Sequence, residues 1–173
     1  MSIQTIVQLN DDALNNQFQI IIPPHEGQID QTGENFRVLR VSIPERSVNM
    51  YTVHYKTQKF TKYTGKDATP NEFTFDFRVD KFWNVYKGLS DWHRLILDPV
   101  SGVQSPDYEN GQSTIRVPIT VNTIDATDTV TSTGWVFDGC FPSNVPGVEF
   151  DMESGEPIVV TITMQFITMN PLG

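Results

Sequence analysis

The sequence predicts a mainly β protein: a β-sandwich or small barrel of about seven strands, with one packed α-helix and an extended arm. Three observations carry that expectation. Among 173 residues, Val, Ile and Thr number 49 and Ala and Leu only 10, so side chains suited to strands far outweigh good helix formers. Apolar and polar residues alternate in several stretches, whereas a single stretch has the helical period. Eleven Phe, five Tyr and three Trp supply the bulk of a core, which excludes a disordered chain. The length suits a single domain over 1–173, with an arm at 47–66 and a helix at 81–97.

The elements follow in order. A first strand over 17–23 runs into Pro23 and Pro24. A second, over 35–43, alternates Arg37, Leu39, Val41 and Ile43 against Phe36, Val38, Arg40 and Ser42, and stops at Pro44. The stretch 47–66 is rich in Thr, Tyr and Lys and too weakly hydrophobic for a core. It reads as a long hairpin with legs of about eight residues, reaching about 25 Å at 3.3 Å per residue. The cleanest strand is 73–79, with Phe73, Phe75, Phe77 and Val79 on one face and Thr74, Asp76 and Arg78 on the other. Over 81–97, Phe82, Val85, Tyr86, Leu89, Trp92 and Ile96 recur at helical steps behind Asp80 as N-cap. Gly88 weakens that helix by about 1 kcal/mol relative to Ala, and Asp98-Pro99 ends it. A loop over 98–113 is long enough to be a contact loop. Strands are expected at 114–124, where Pro118 marks an edge or bulge, and at 129–138. A turn region at 139–147 and a closing strand at 157–168 complete the chain, with Ile158, Val160, Ile162, Met164 and Phe166 on one side and Val159, Thr161, Thr163, Gln165 and Ile167 on the other.

Charge is segregated along this order. The net charge is −9, yet residues 37–66 carry seven bases (Arg37, Arg40, Arg46, Lys56, Lys59, Lys62, Lys66) against the single acid Glu45. Residues 117–173 carry seven acids (Asp125, Asp128, Asp138, Glu149, Asp151, Glu153, Glu156) and no Lys or Arg. A basic element held apart from an acidic surface allows copies to pair head to tail, giving rings or open polymers. The overall acidity argues against a nucleic-acid-binding groove.

The sequence offers little catalytic chemistry. His25, His54 and His93 lack metal-ligand spacing, and a lone Cys140 leaves no zinc site. It also leaves no internal disulfide, as suits a reducing compartment. Cys140 with His93 and Asp138 can be written as a nucleophile constellation, but no elbow or signature supports it, and a buried structural cysteine is the expectation. Glu149, Asp151 and Glu153 alternate, as a solvent-facing acidic ladder or, alternatively, a divalent-cation site. No Gly-rich phosphate loop precedes the helix. Neither an enzyme nor a cofactor is expected. No apolar run is long enough to cross a membrane, and the first residues carry no secretory signal pattern.

Several stretches together resemble the major tail tube protein of contractile-tailed bacteriophages. These are Leu-Arg-Val-Ser-Ile-Pro-Glu-Arg-Ser at 39–47, the basic Tyr-containing arm at 53–65, and the Phe-rich strand at 73–80. They continue with the helix at 82–96, Gly-Trp-Val-Phe-Asp-Gly-Cys-Phe-Pro-Ser-Asn-Val at 134–145, the acidic segment at 148–151 and the closing strand. The resemblance covers about residues 17–168; residues 1–16 and the loop 98–113 have no match. It implies a structural virion protein whose hexameric rings stack into the inner tail tube. That tube sits inside a contractile sheath and passes genome DNA without binding it. Implied partners are other copies of the chain, the sheath protein, baseplate and tail terminator proteins, and a tape measure protein in the lumen during assembly. Implied location is the virion, after assembly in the host cytoplasm, with no membrane contact. The same fold serves type VI secretion tubes and other contractile injection particles, and a carbohydrate-binding β-sandwich is the alternative outside this group.

In such a tube, Tyr51, Tyr55, Lys56, Lys59, Phe60, Lys62, Tyr63 and Lys66 of the arm are expected to bridge to Asp125, Asp128, Glu149, Asp151, Glu153 or Glu156 of the next ring. Each exposed ion pair adds only about 0–1 kcal/mol, but repetition around a ring fixes register. A polar or acidic lumen wall lets a duplex slide; Asp76, Thr120, Asn122, Thr161, Thr163 and Gln165 are the expected wall residues.

Overall fold

The computed structural model describes residues 18–23, 38–102, 108–109, 112–113, 115–124, 130–151 and 155–172. Within them the chain runs β1 (Phe18–Ile21), β2 (Val38–Ser42), β3 (Val48–Tyr55), β4 (Gln58–Asp67), β5 (Glu72–Arg78) and α1 (Asn84–Ile96). It continues through β6 (Tyr108–Glu109), β7 (Gln112–Ser113), β8 (Val117–Ile124), β9 (Val130–Asn144), β10 (Val159–Gln165) and β11 (Thr168–Leu172). Seven strands form one antiparallel sheet in the order β1-β8-β9-β10-β5-β2, with β11 added beside β9, while β3–β4 and β6–β7 are separate hairpins.

Strand β9 folds that sheet into two layers. Its first part pairs with β8 on one side and β11 on the other; its last residues pair with β10. Between the two parts Gly139 takes φ +69, a left-handed conformation that glycine adopts without Cβ strain and that bends the strand. A turn is expected at 139–147, but the chain stays in strand conformation to Asn144. Pro142 is tolerated there because Phe141–Asn144 pair only with β10 among the described strands, so its missing N–H breaks no ladder on the other side. Pro118 marks a register shift in β8, the bulge its ring demands. The closing strand expected at 157–168 is two strands: β10 pairs with β5 in one layer, and after Phe166 and Ile167 the chain crosses to β11 in the other.

The core lies between the layers. Phe73 of β5 stacks on Phe137 of β9 at 4.3 Å between ring centroids, and Phe166 meets Phe137 edge-on at 5.1 Å. Phe73, Phe75, Phe77, Ile119, Phe137, Ile162 and Met164 are all fully buried, each contributing about 1.5–3 kcal/mol of burial. Helix α1 packs on β9 through Val85, Gly88, Leu89 and Trp92, and the Trp92 indole N–H donates to the Ile115 carbonyl at 2.7 Å. The helix starts three residues later than expected. Asp80 caps a preceding turn instead, accepting from the Phe82 amide at 3.2 Å, and Trp83 at φ +62 turns the chain into the helix. Phe82 is thereby left exposed rather than on the core face. The loop at 98–113 carries the small β6–β7 hairpin. No helix among the described residues is long and apolar enough to cross a membrane.

Candidate functional site: a basic arm and an acidic groove

The β3–β4 hairpin turns at Lys56 (φ +54) and Thr57, with Tyr55 opposite Gln58. A bulge around Gly65 (φ +72) re-aims its second leg near the root. Every residue of β4 is exposed, and in β3 only Val53 is half-buried. Its apolar side chains are large: Met50, Tyr51, Tyr55, Phe60 and Tyr63 all face solvent, Tyr63 at 78%. A lone two-stranded hairpin is at best marginal in water, and this one is held at its root. The Arg46 guanidinium donates to the Met169 carbonyl of β11, Ala68 N–H donates to the Ser47 carbonyl at 3.0 Å, and Ser47 N–H to Thr69 Oγ1 at 3.3 Å. Asp67 accepts from the Thr69 amide at 2.8 Å, and its hydrogen bonds to Thr69 hold its carboxyl below the usual carboxylate range.

The register divides the expected arm residues between two faces. Directly opposed pairs share a face. Tyr51 with Lys62, Val53 with Phe60 and Tyr55 with Gln58 form one; Met50 with Tyr63, Thr52 with Thr61 and His54 with Lys59 form the other. The lysines are therefore not one basic stripe. Lys62 stands beside the rings and Lys59 on the more polar face, Lys56 is at the turn over the Tyr55 ring at 5.6 Å, and Lys66 is in the bulged leg.

The acidic side is an open groove of about 690 Å³ between the 144–151 segment and residues 156–163, which run through most of β10. Glu149, Asp151 and Glu156 line it, with no basic residue in the lining. Its apolar part includes Val148, Phe150, Ile158 and Val159, and Phe150 is 73% exposed. Glu149 and Asp151 do not form a strand ladder, because 145–151 is extended chain outside any strand. The segment is pinned to α1: Tyr86 Oη donates to the Pro146 carbonyl at 3.0 Å, and the Trp83 ring lies 5.8 Å from that of Phe150 and 5.4 Å from that of Tyr86. These contacts help offset the left-handed backbone of Trp83, which costs of order 1–3 kcal/mol. Asp125, Asp128 and Glu153 lie outside the described residues, as do residues 1–16.

The arm root lies beyond the end of β10, whereas the groove begins before its start and lines the strand as far as Thr163. At the end of β10, Phe166 N–H donates to the Asn71 carbonyl beside the arm root; before its start, Ile158 accepts from Val79 N–H beside the groove. The intervening residues Val159–Gln165 span about 20 Å at the usual rise.

The expected wall residues separate into two groups. Asp76, Thr161, Thr163 and Gln165 share the outer face of β5 and β10. Thr161 Oγ1 donates to Asp76 Oδ1 at 2.7 Å, and Gln165 Nε2 to Glu72 Oε2 at 3.2 Å. Thr120 lies in the other layer. Asn122 is corrected by its burial, 7% exposed, and does not present an open wall. It sits opposite Gly134, where an added Cβ would lie 2.6 Å from the Val121 carbonyl.

Cys140 is fully buried, its Sγ 3.1 Å from the Phe137 carbonyl, and burial pushes its thiol up to about 12. A thiol in that state is protonated at neutral pH and is no nucleophile. Among the described residues no three His, Cys, Asp or Glu side chains are grouped to hold a metal.

No protein-family model matches the sequence, and no curated protein matches it. Solved structures share its fold. A chain of the extracellular contractile injection system PVC, in the extended sheath–tube complex, aligns with TM-score 0.65 at 17% identity over 99% of this chain and 97% of that one. A chain from the tube-terminating cap of the anti-feeding prophage aligns with TM-score 0.65 at 15% identity, over 99% and 98%. One from that particle's six-fold symmetrised baseplate reaches 0.62 at 10% identity, over 95% and 98%. The fold is one used by components of contractile injection particles. Phe150, Val148 and Ile158 were not anticipated as site residues; the alternation Val148-Glu149-Phe150-Asp151 is the signal that could have found them. The Arg46 bond to β11 has no counterpart signal in the sequence.

Proposed function

We propose that this protein is a self-assembling tube subunit of a contractile, phage-tail-like particle. The observation that carries the reading is the separation of a basic, aromatic hairpin, rooted beyond the end of β10, from a groove whose acids Glu149, Asp151 and Glu156 lie before its start, on a fold shared with components of such particles. A surface complementary to itself at two ends makes heterologous contacts, which close into rings or extend into stacks. Among the described strands β1 and β2 terminate the sheet path, and pairing such edges across a ring removes an aggregation hazard of the monomer. On this reading the rings are hexameric and stack inside a sheath between baseplate and terminator proteins. A tape measure protein occupies the lumen during assembly, and genome DNA passes through it if the particle is a phage tail. Asp76 and Gln165, on the part of the outer β5–β10 face outside the groove lining, are the candidate lumen wall, polar enough to let a polyanion slide, whereas Thr161 and Thr163 line the groove. Arm lysines and groove acids are the inter-ring contacts, and the protein acts without catalysis or cofactor.

The test is negative-stain microscopy of the purified protein, with or without its sheath and baseplate proteins. Rings or tubes are expected, and Lys56→Glu/Lys59→Glu/Lys62→Glu is expected to leave rings but block stacking. Normal stacking by that variant removes the arm from the inter-ring contact. Persistent monomer at high concentration with those proteins present ends the proposal. A cap or terminator subunit is the second reading, favoured by the equal likeness to the anti-feeding prophage cap chain; it gives single rings that never lengthen.

A further inference from the structure

We propose that the groove lined by residues within 144–151 and 156–163 seats the β3–β4 hairpin of a second copy, and that the hairpin enters with its Tyr51–Val53–Tyr55–Phe60–Lys62 face. The inference rests on the tube reading and adds which surface meets which. Charge complementarity selects the occupant: residues 48–66 carry four lysines and no acid, while the described residues of the groove lining include Glu149, Asp151 and Glu156 and no Lys or Arg. The hairpin of the same chain does not fill the groove, since all of β4 is exposed and its root lies at the far end of β10.

Chemistry selects the face. The groove combines the apolar surface of Phe150 and Ile158 with the carboxylates of Glu149, Asp151 and Glu156. One hairpin face matches that mixture, presenting three aromatic rings and Val53 with Lys62 at their side. The other presents Thr52, His54, Lys59 and Thr61 between Met50 and Tyr63 and offers fewer rings to a dry contact. Aromatic anchors in a desolvated centre with charged pairs at the rim are what a specific protein contact requires.

The test is cysteine cross-linking of full-length chains, for which buried Cys140 is silent. Phe60→Cys protein is mixed with Phe150→Cys protein and oxidised; Tyr63→Cys with Phe150→Cys is the control for the opposite face. All three positions are exposed, so the fold tolerates them. The Phe60 pair is expected to form disulfide-linked dimers about tenfold over the Tyr63 pair, the gain of a held contact over chance collision. Yields that are equal, or higher for Tyr63, overturn the face. No cross-link in preparations that show rings or tubes overturns the seat and leaves the tube reading standing; no cross-link and no particles overturns both. As an independent check, Lys62→Glu and Glu149→Lys should each reduce stacking and restore it when mixed, whereas Lys59→Glu with Glu149→Lys should not.

Discussion

The sandwich and the arm are built from the same kinds of residue and treat them oppositely. In β5, Phe73, Phe75 and Phe77 are at most 2% exposed; in the arm, Phe60 is 46% and Tyr63 78% exposed. Both segments alternate side chains as strands must. The difference is the second layer: β5 lies under β9, α1 and Phe166, whereas β3 and β4 have only each other. On the proposed tube reading the exposed rings of the hairpin are surface for a second copy, while the rings in β5 hold the fold.

Truncation gives the sharpest contrast. Phe137→Ala removes the ring stacked on Phe73 and is expected to lose about 3–5 kcal/mol in denaturant unfolding. Phe60→Ala should stay within about 0.5 kcal/mol while reducing assembly seen by microscopy. Comparable losses at the two sites would mean that the arm packs on the body. Alkaline pH separates the regions next. The Cys140 thiol is held at about 12 against an ordinary 9.0, so the folded state keeps a proton that the unfolded state releases. Stability from this site is complete below pH 9 and is lost as pH rises towards 12, by about 4 kcal/mol in total. Denaturant titrations of wild type and Cys140→Ala across that window should converge as pH rises.

Two glycines make a smaller contrast. Gly139→Ala combines a positive φ with a Cβ 2.7 Å from Ile167 Cδ1, while Gly65 at φ +72 has open space around it. The first should cost about 2–4 kcal/mol of stability from strain plus overpacking; the second should cost only the left-handed strain, about 1–2 kcal/mol and confined to the arm. Thermal melts of the two variants decide it. The smallest effect is at the arm root. The Asp67 carboxyl is held below 3.8 by its bonds to Thr69, so its contribution is present above that pH and fades as pH falls through the lowered value. The protection of the Thr69 amide, measured as its exchange rate relative to the intrinsic rate at each pH, should fall in that acid range, and Asp67→Asn should lower the protection at neutral pH.

How far the sequence could be read varies along the chain. The period-two stretches at 73–79 and 158–166 mark buried faces that the structure bears out, because burial on one side of a strand writes itself into alternate residues. The helix was legible from its apolar stripe, but its start was not: Asp80 is a good cap by composition, and only the packing of Trp83 on Tyr86 and Phe150 moves the first turn. The change of layer after Gln165 was invisible because Phe166 continues the β10 alternation; pairing with β9 rather than hydrophobicity ends one strand and starts the next. In the candidate site, the basic arm and the acidic groove residues were readable as charge blocks. The two-faced division of the lysines was not, since it depends on which arm residues lie opposite one another.

Composition and periodicity alone therefore determined a β-rich chain with a Phe-lined core, one amphipathic helix and a charged arm, because each is a local pattern with a local physical cause. Tertiary structure alone decided that β9 serves both layers, that the arm is rooted beyond the end of β10 while the groove acids lie before its start, and that Lys59 and Lys62 look in opposite directions. Those outcomes depend on hydrogen-bond register between segments far apart in the chain, which no short window of sequence encodes.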